Sequence, residues 1–147
     1  MTATAHALVA GAIAASIQNP AIGLPLAAAS HPFLDMIPHW DFGVGWKKKN
    51  KFILFSQSFG DLVFGVVLTF AIFAPHTNLV YLAIAIFLSE SWDFLMMPYI
   101  LDKWKFSPFS AFYNVQSEIN RNIRLPWGIL TQVGTVIGVI LILQVFR

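Results

Sequence analysis

Apolar residues run along this chain in five long stretches separated by short polar punctuation, a pattern of helices surrounded by apolar material. The first stretch runs from about Thr2 to Gln18 and the second from about Ala21 to Ile37, with Asn19-Pro20 as the turn between them. The third covers roughly Phe59 to Ala74 and ends in a Pro75-His76-Thr77-Asn78 turn. The fourth covers roughly Leu79 to Met97 and is closed by Pro98; the fifth runs from about Pro126 to Phe146. Crossing a bilayer takes about 17–25 residues, so the first three are at the short end, and the first two have the alternative of a hairpin that does not fully cross. The expectation is an all-α integral membrane bundle of about five transmembrane spans, one domain over residues 1–147. The first stretch has the length of a signal-peptide core but no Lys or Arg ahead of it, and it reads as a retained span.

Composition strengthens the membrane reading. Hydrophobic residues make up 57% of the 147, charged residues only 11%, and the mean hydropathy is +0.69; a soluble domain carries about 25% charged residues. Without cysteine, disulfides, thiolate ligands and Cys nucleophiles are excluded. The basic residues lie beside the apolar stretches rather than along one face, which argues against a nucleic-acid partner. Lys47, Lys48, Lys49 and Lys51 follow the second stretch, and Lys103, Lys105, Arg121 and Arg124 follow the fourth; only Arg147 lies at the other end. With five crossings, the excess of Lys and Arg on one side predicts a cytoplasmic N-terminus. The lysines serve as a topology signal and, secondarily, as contacts for anionic headgroups. Between residues 99 and 125 an aromatic, amphipathic segment suits either the interface plane or an ordered connection carrying belt aromatics. Gly134 and Gly138 in the fifth stretch suit close helix packing and self-association into a homo-oligomer.

Against this apolar background, His31-Pro-Phe-Leu-Asp35-Met-Ile-Pro38-His39-Trp-Asp41 stands out. Ionisable groups in such surroundings are costly and need a partner or a task. His31 and Asp35 are four apart and share a helix face, and His39 follows a helix-ending proline. The predicted topology delivers His6, His31, Asp35, His39, Asp61, Glu90 and Asp93 to one layer, with Asp41 just beyond the second stretch on that side and His76 at the opposite surface. Nitrogen and oxygen donors without sulfur favour a divalent metal: zinc first, with manganese or iron as alternatives. His6, His31, Asp35, His39, Asp41 and Asp61 are the candidate ligands. Glu90 and Asp93, three apart on one face, are the candidate general base or second-site ligands. Bound zinc lowers the pKa of water to about 7 and so supplies a nucleophile. Asp61 has a competing structural reading as the cap of the third helix. Ser89 and Ser91 lack the Gly-x-Ser-x-Gly elbow of serine hydrolases.

The Thr4-Ala5-His6 start and the Asp35-Met-Ile-Pro38-His39 cluster resemble the bacterial inner-membrane family of membrane-bound metal-dependent hydrolases. The spacing His31-x3-Asp35-x2-Pro38-His39 is also similar to an element of zinc-dependent phospholipase C. The likeness lies mainly in residues 1–45, and the chain lacks the later His-x3-Glu pair of the phospholipase pattern. The resemblance implies a hydrolase of phosphoesters or lipids. Two readings compete with it: an ion- or proton-coupled transporter built on the same polar layer, and a structural protein in which these groups hold helices together by hydrogen bonds.

Overall fold

The computed structural model describes residues 1–145. Among these are six α-helices: α1 (Ala3–Ser16), α2 (Pro20–Asp35), α3 (Lys51–Phe73), α4 (Leu79–Asp102), α5 (Phe109–Ile119) and α6 (Trp127–Gln144). The all-helical expectation holds. Fewer helices than expected have the dimensions of a span: among the described residues three are long and apolar enough to cross a membrane, namely α3 continued to His76, α4 and α6.

The two remaining apolar stretches are shorter, at 14 residues for α1 and 16 for α2. At 1.5 Å per residue, α1 extends about 21 Å, less than the roughly 30 Å of a hydrocarbon core. Its apolarity has another cause. Residues 5–7 and 9–15 are all buried, and α1 touches α2, α3, α4 and α6. A helix apolar on every side belongs inside, and its small side chains let neighbours close on it. Gly65 of α3 shows how closely: a Cβ there would stand 2.5 Å from the Thr4 Cα. Large apolar side chains instead face outward on α3 (Phe52, Phe59, Phe64) and α6 (Leu130, Ile137, Leu141), where a hydrocarbon surrounding suits them.

Several element boundaries differ from those expected. The α3 helix starts at Lys51 rather than Phe59, because Asn50 accepts the Phe52 N–H and caps it. The Ser56-Gln57-Ser58 run that interrupts the apolar pattern lies within this helix. Pro98 does not close α4, which continues to Asp102, where Lys103 takes a left-handed cap conformation. Within α2, Pro25 and Pro32 are likewise accommodated. The predicted end of the fifth stretch at Phe146 and the charge at Arg147 lie outside the described residues.

The α1–α2 and α3–α4 turns lie at the same end. The Tyr81 hydroxyl donates to Ile17 O at 2.8 Å, and Thr77 Oγ1 donates to Ala14 O at 3.1 Å. At the other end α3 and α4 overhang the start of α1. Ten residues of α3 precede Asp61, which meets Ala3 and Thr4, and nine residues of α4 follow Asp93. The polar layer therefore sits about 15 Å inside the ends of these two helices.

Candidate metal centre

Three segments contribute four side chains to one cluster. The first turn of α1 supplies His6, the last turn of α2 supplies His31 and Asp35, and the loop beyond Pro38 supplies His39. All four are buried, none more than 1% exposed. The His6 and His31 rings stack with centroids 3.7 Å apart. Both present Nε2 to one carboxylate: His6 to Asp35 Oδ1 at 3.1 Å and His31 to Asp35 Oδ2 at 3.4 Å. His39 Nε2 lies 3.7 Å from Asp35 Oδ1, and the Met1 α-amino group pairs with that same oxygen. Asp93 reaches the rim, with Oδ1 3.5 Å from His31 Nε2.

The chemistry of His39 is the most constrained. Its Nδ1 lies 2.7 Å from the Ile37 carbonyl oxygen, an obligate acceptor, so Nδ1 carries the proton. In a neutral ring, Nε2 then presents a lone pair. That lone pair faces Asp41 Oδ2 at 3.2 Å and Asp35 Oδ1 at 3.7 Å. Such an arrangement is repulsive unless positive charge stands nearby, as the Met1 α-amino group, a second ring proton or a cation. The carbonyl that fixes the tautomer is the usual partner behind a metal-binding imidazole. Burial disfavours the charged Asp41 carboxyl. The His39 hydrogen bond, the charges of the α-amino group and His39, and the Gly43 N–H prevail and hold it below its usual range.

His6, His31 and Asp35 each bring a donor atom to a position where all three atoms lie within 4.8 Å of one another, and together they could hold a metal ion. The set fits on one further ground: all three side chains are shielded from water. Unlike that of His39, the Nδ1 atoms of His6 and His31 have no hydrogen-bond partner among the described residues. Nothing in the donor set selects among zinc, manganese and iron.

The remaining predicted residues separate into two kinds. Glu90 is 1% exposed, and its Oε1 has no hydrogen-bond partner among the described residues; it lines the same cavity as Asp35, Asp41 and Asp93. Asp61 also lines that cavity, but both its oxygens are engaged with the start of α1: Oδ2 accepts the Ala3 N–H at 2.6 Å and Oδ1 accepts the Thr4 hydroxyl at 2.7 Å. Its competing reading as the cap of the third helix is corrected, since Asn50 fills that position and Asp61 serves α1 instead. His76 lies at the far end, where its carbonyl oxygen is 3.4 Å from Gln18 Nε2.

The cavity measures about 300 Å³ and is lined by the overhanging parts of α3 and α4 together with the start of the chain, the loop after α2 and α5. Carboxylates line its inner end, while Leu54, Phe55, Phe94, Met97 and Leu101 supply apolar walls.

Two contributors carried no charge to mark them in the sequence. Gln116 of α5 donates through Nε2 to Asp35 Oδ2. Gly128 lies where a Cβ would come within 2.6 Å of the Trp40 backbone nitrogen and 2.9 Å of the His39 carbonyl carbon, so the start of α6 rests directly on the His39 loop. No family model, curated protein or solved structure matches the chain.

Proposed function

We propose that this chain is a membrane-embedded, metal-dependent hydrolase that acts on a lipid or another amphiphilic phosphoester or ester at the cytoplasmic leaflet of a bacterial inner membrane. The observation that carries the reading is the buried meeting of His6, His31 and Asp35, with the lone pair of His39 directed at two carboxylates beside them. His6, His31 and Asp35 would hold the cation, with His39 and Asp41 adjacent. Bound there, a divalent ion such as zinc supplies a water of low pKa as nucleophile.

The chain's own residues have distinct parts. The Ile37 carbonyl holds His39 in one tautomer. Glu90, buried on the cavity with a carboxyl oxygen that has no partner among the described residues, is placed to take or return a proton, and Asp93 stands at the rim as a second candidate base or second-site ligand. The apolar walls suit the tail of an amphiphile whose head reaches the carboxylate end. The exposed lysines at 47 and 48 draw anionic headgroups to this side. A cytoplasmic N-terminus and the resemblance to the membrane-bound hydrolases belong to the same proposal.

Elemental analysis of protein purified in mild detergent tests it. We expect about one equivalent of a transition metal in the wild type and loss of that metal in His31→Ala. Less than about a tenth of an equivalent in the wild type, with His31→Ala indistinguishable from it, discards the mechanism.

A further inference from the structure

Gln116 differs from every residue that polarity singles out, being neutral and placed on the connecting helix α5. Among the described residues it is the one α5 residue that is buried, at 3% exposure. Its Nε2 donates to Asp35 Oδ2 and lies 3.4 Å from His31 Nε2, while its Oε1 is buried with no partner among the described residues. The chain just beyond α5 extends the grip. Arg121 N–H donates to the Asp35 carbonyl at 3.1 Å, its own carbonyl accepts the His39 N–H at 3.0 Å, and Ile123 N–H donates to the His39 carbonyl at 2.7 Å. Residues 116–123 thus touch His31, Asp35 and His39.

We infer that Gln116 is a constituent of the cation centre: it holds Asp35 Oδ2 so that Oδ1 faces His6 and His39, and it couples cation binding to the docking of α5. This rests on the reading of the cluster as a metal centre. A carboxylate that is free to turn presents its oxygens to a cation only part of the time, and a hydrogen bond to the far oxygen removes that freedom. Loss of such an outer partner weakens metal binding by about 10–100-fold. Coupling is reciprocal: if a docked α5 tightens the cation, the cation tightens α5 by the same factor. The effect on α5 is readable because little else on it is buried. Its other anchors are ring contacts, Phe112 on Trp92 at 5.1 Å and Tyr113 on Tyr99 at 4.0 Å.

The test is Co²⁺ binding to the full chain in mild detergent, by competition with a chromophoric chelator, together with the visible spectrum of the bound ion. Amide hydrogen exchange over residues 109–119 is followed with and without Co²⁺. Gln116→Leu and Gln116→Met are expected to bind about 10–100-fold more weakly than wild type and to alter the spectrum. Phe112→Leu, which loosens α5 at Trp92 but keeps the Gln116 bond to Asp35, is expected to lose less affinity than either Gln116 variant. Co²⁺ should slow exchange in α5 of the wild type and leave it unchanged in Gln116→Met. That variant keeps the length of the side chain and decides the matter if Gln116→Leu does not fold. Wild-type affinity and spectrum in the Gln116 variants overturn the inference, and so does an equal loss in Phe112→Leu, which would mark general loosening of α5. A wild type that binds no Co²⁺ removes the metal centre itself, and this inference with it.

Discussion

Asp61, eleven residues into α3, accepts the Ala3 N–H at 2.6 Å and so caps the N-terminus of a different helix. The same carboxylate accepts the Thr4 hydroxyl, at a place where Gly65 lets α1 and α3 approach closely. Helix N-termini leave unpaired N–H groups, and an anion beside them is favourable. Asp61→Ala should therefore lower stability by about 1–2 kcal/mol, the usual cost of a lost cap, while the metal content stays at the wild-type level. Thermal unfolding in mild detergent alongside elemental analysis checks both halves. Loss of metal without loss of stability would make Asp61 a ligand instead.

A second prediction contrasts two glycines of α6. A methyl group at Gly128 would press on the backbone of His39 and Trp40, whereas a Cβ at Gly134 meets nothing within 4 Å. Backbone cannot yield as a side-chain tip can, so Gly128→Ala should shift the His39 loop and cost about 1–3 kcal/mol. Gly134→Ala should leave both stability and metal binding unchanged. Equal behaviour of the two variants in melting experiments would refute the contact.

Glu90 offers a separation of stability from activity. Its buried carboxyl oxygen has no partner among the described residues, a state that costs about 1–3 kcal/mol. Glu90→Met removes the polar group at similar volume. It should raise the unfolding temperature and abolish hydrolysis of an amphiphilic ester, with metal content retained. An unchanged turnover rate would exclude Glu90 from the proton transfer assigned to it.

Asp41 gives a pH signature. Its folded pKa lies below the usual 3.8, so its contribution to stability is fully present above that value. The contribution is lost as pH falls through the lower folded value. At pH 5, where the α-amino group is charged, wild type should be more stable than Asp41→Asn, and below about 3.8 the difference should shrink. Melting curves recorded over that range with a chelator present provide the check. A gap that widens towards acid would mean that the pair with His39 is not what depresses the carboxyl.

By itself the sequence singled out the residues of the inner cluster. His6, His31, Asp35 and His39 were visible because ionisable groups are costly in an apolar chain, and the four-residue spacing of His31 and Asp35 already put them on one helix face. The helical class was equally legible from the apolar stretches. Depth, partnership and cover were not. Hydropathy does not distinguish a helix buried in protein from one facing lipid, so α1 read as a span although its neighbours enclose it. Pro98 read as an end, because a local rule takes no account of the packing that lets α4 continue. Gln116 and Gly128 carry no charge, and their importance comes from what lies opposite them: Asp35 for one, the His39 backbone for the other. Such relationships join residues some 80 to 90 positions apart, and only the packing of helices in three dimensions decides them.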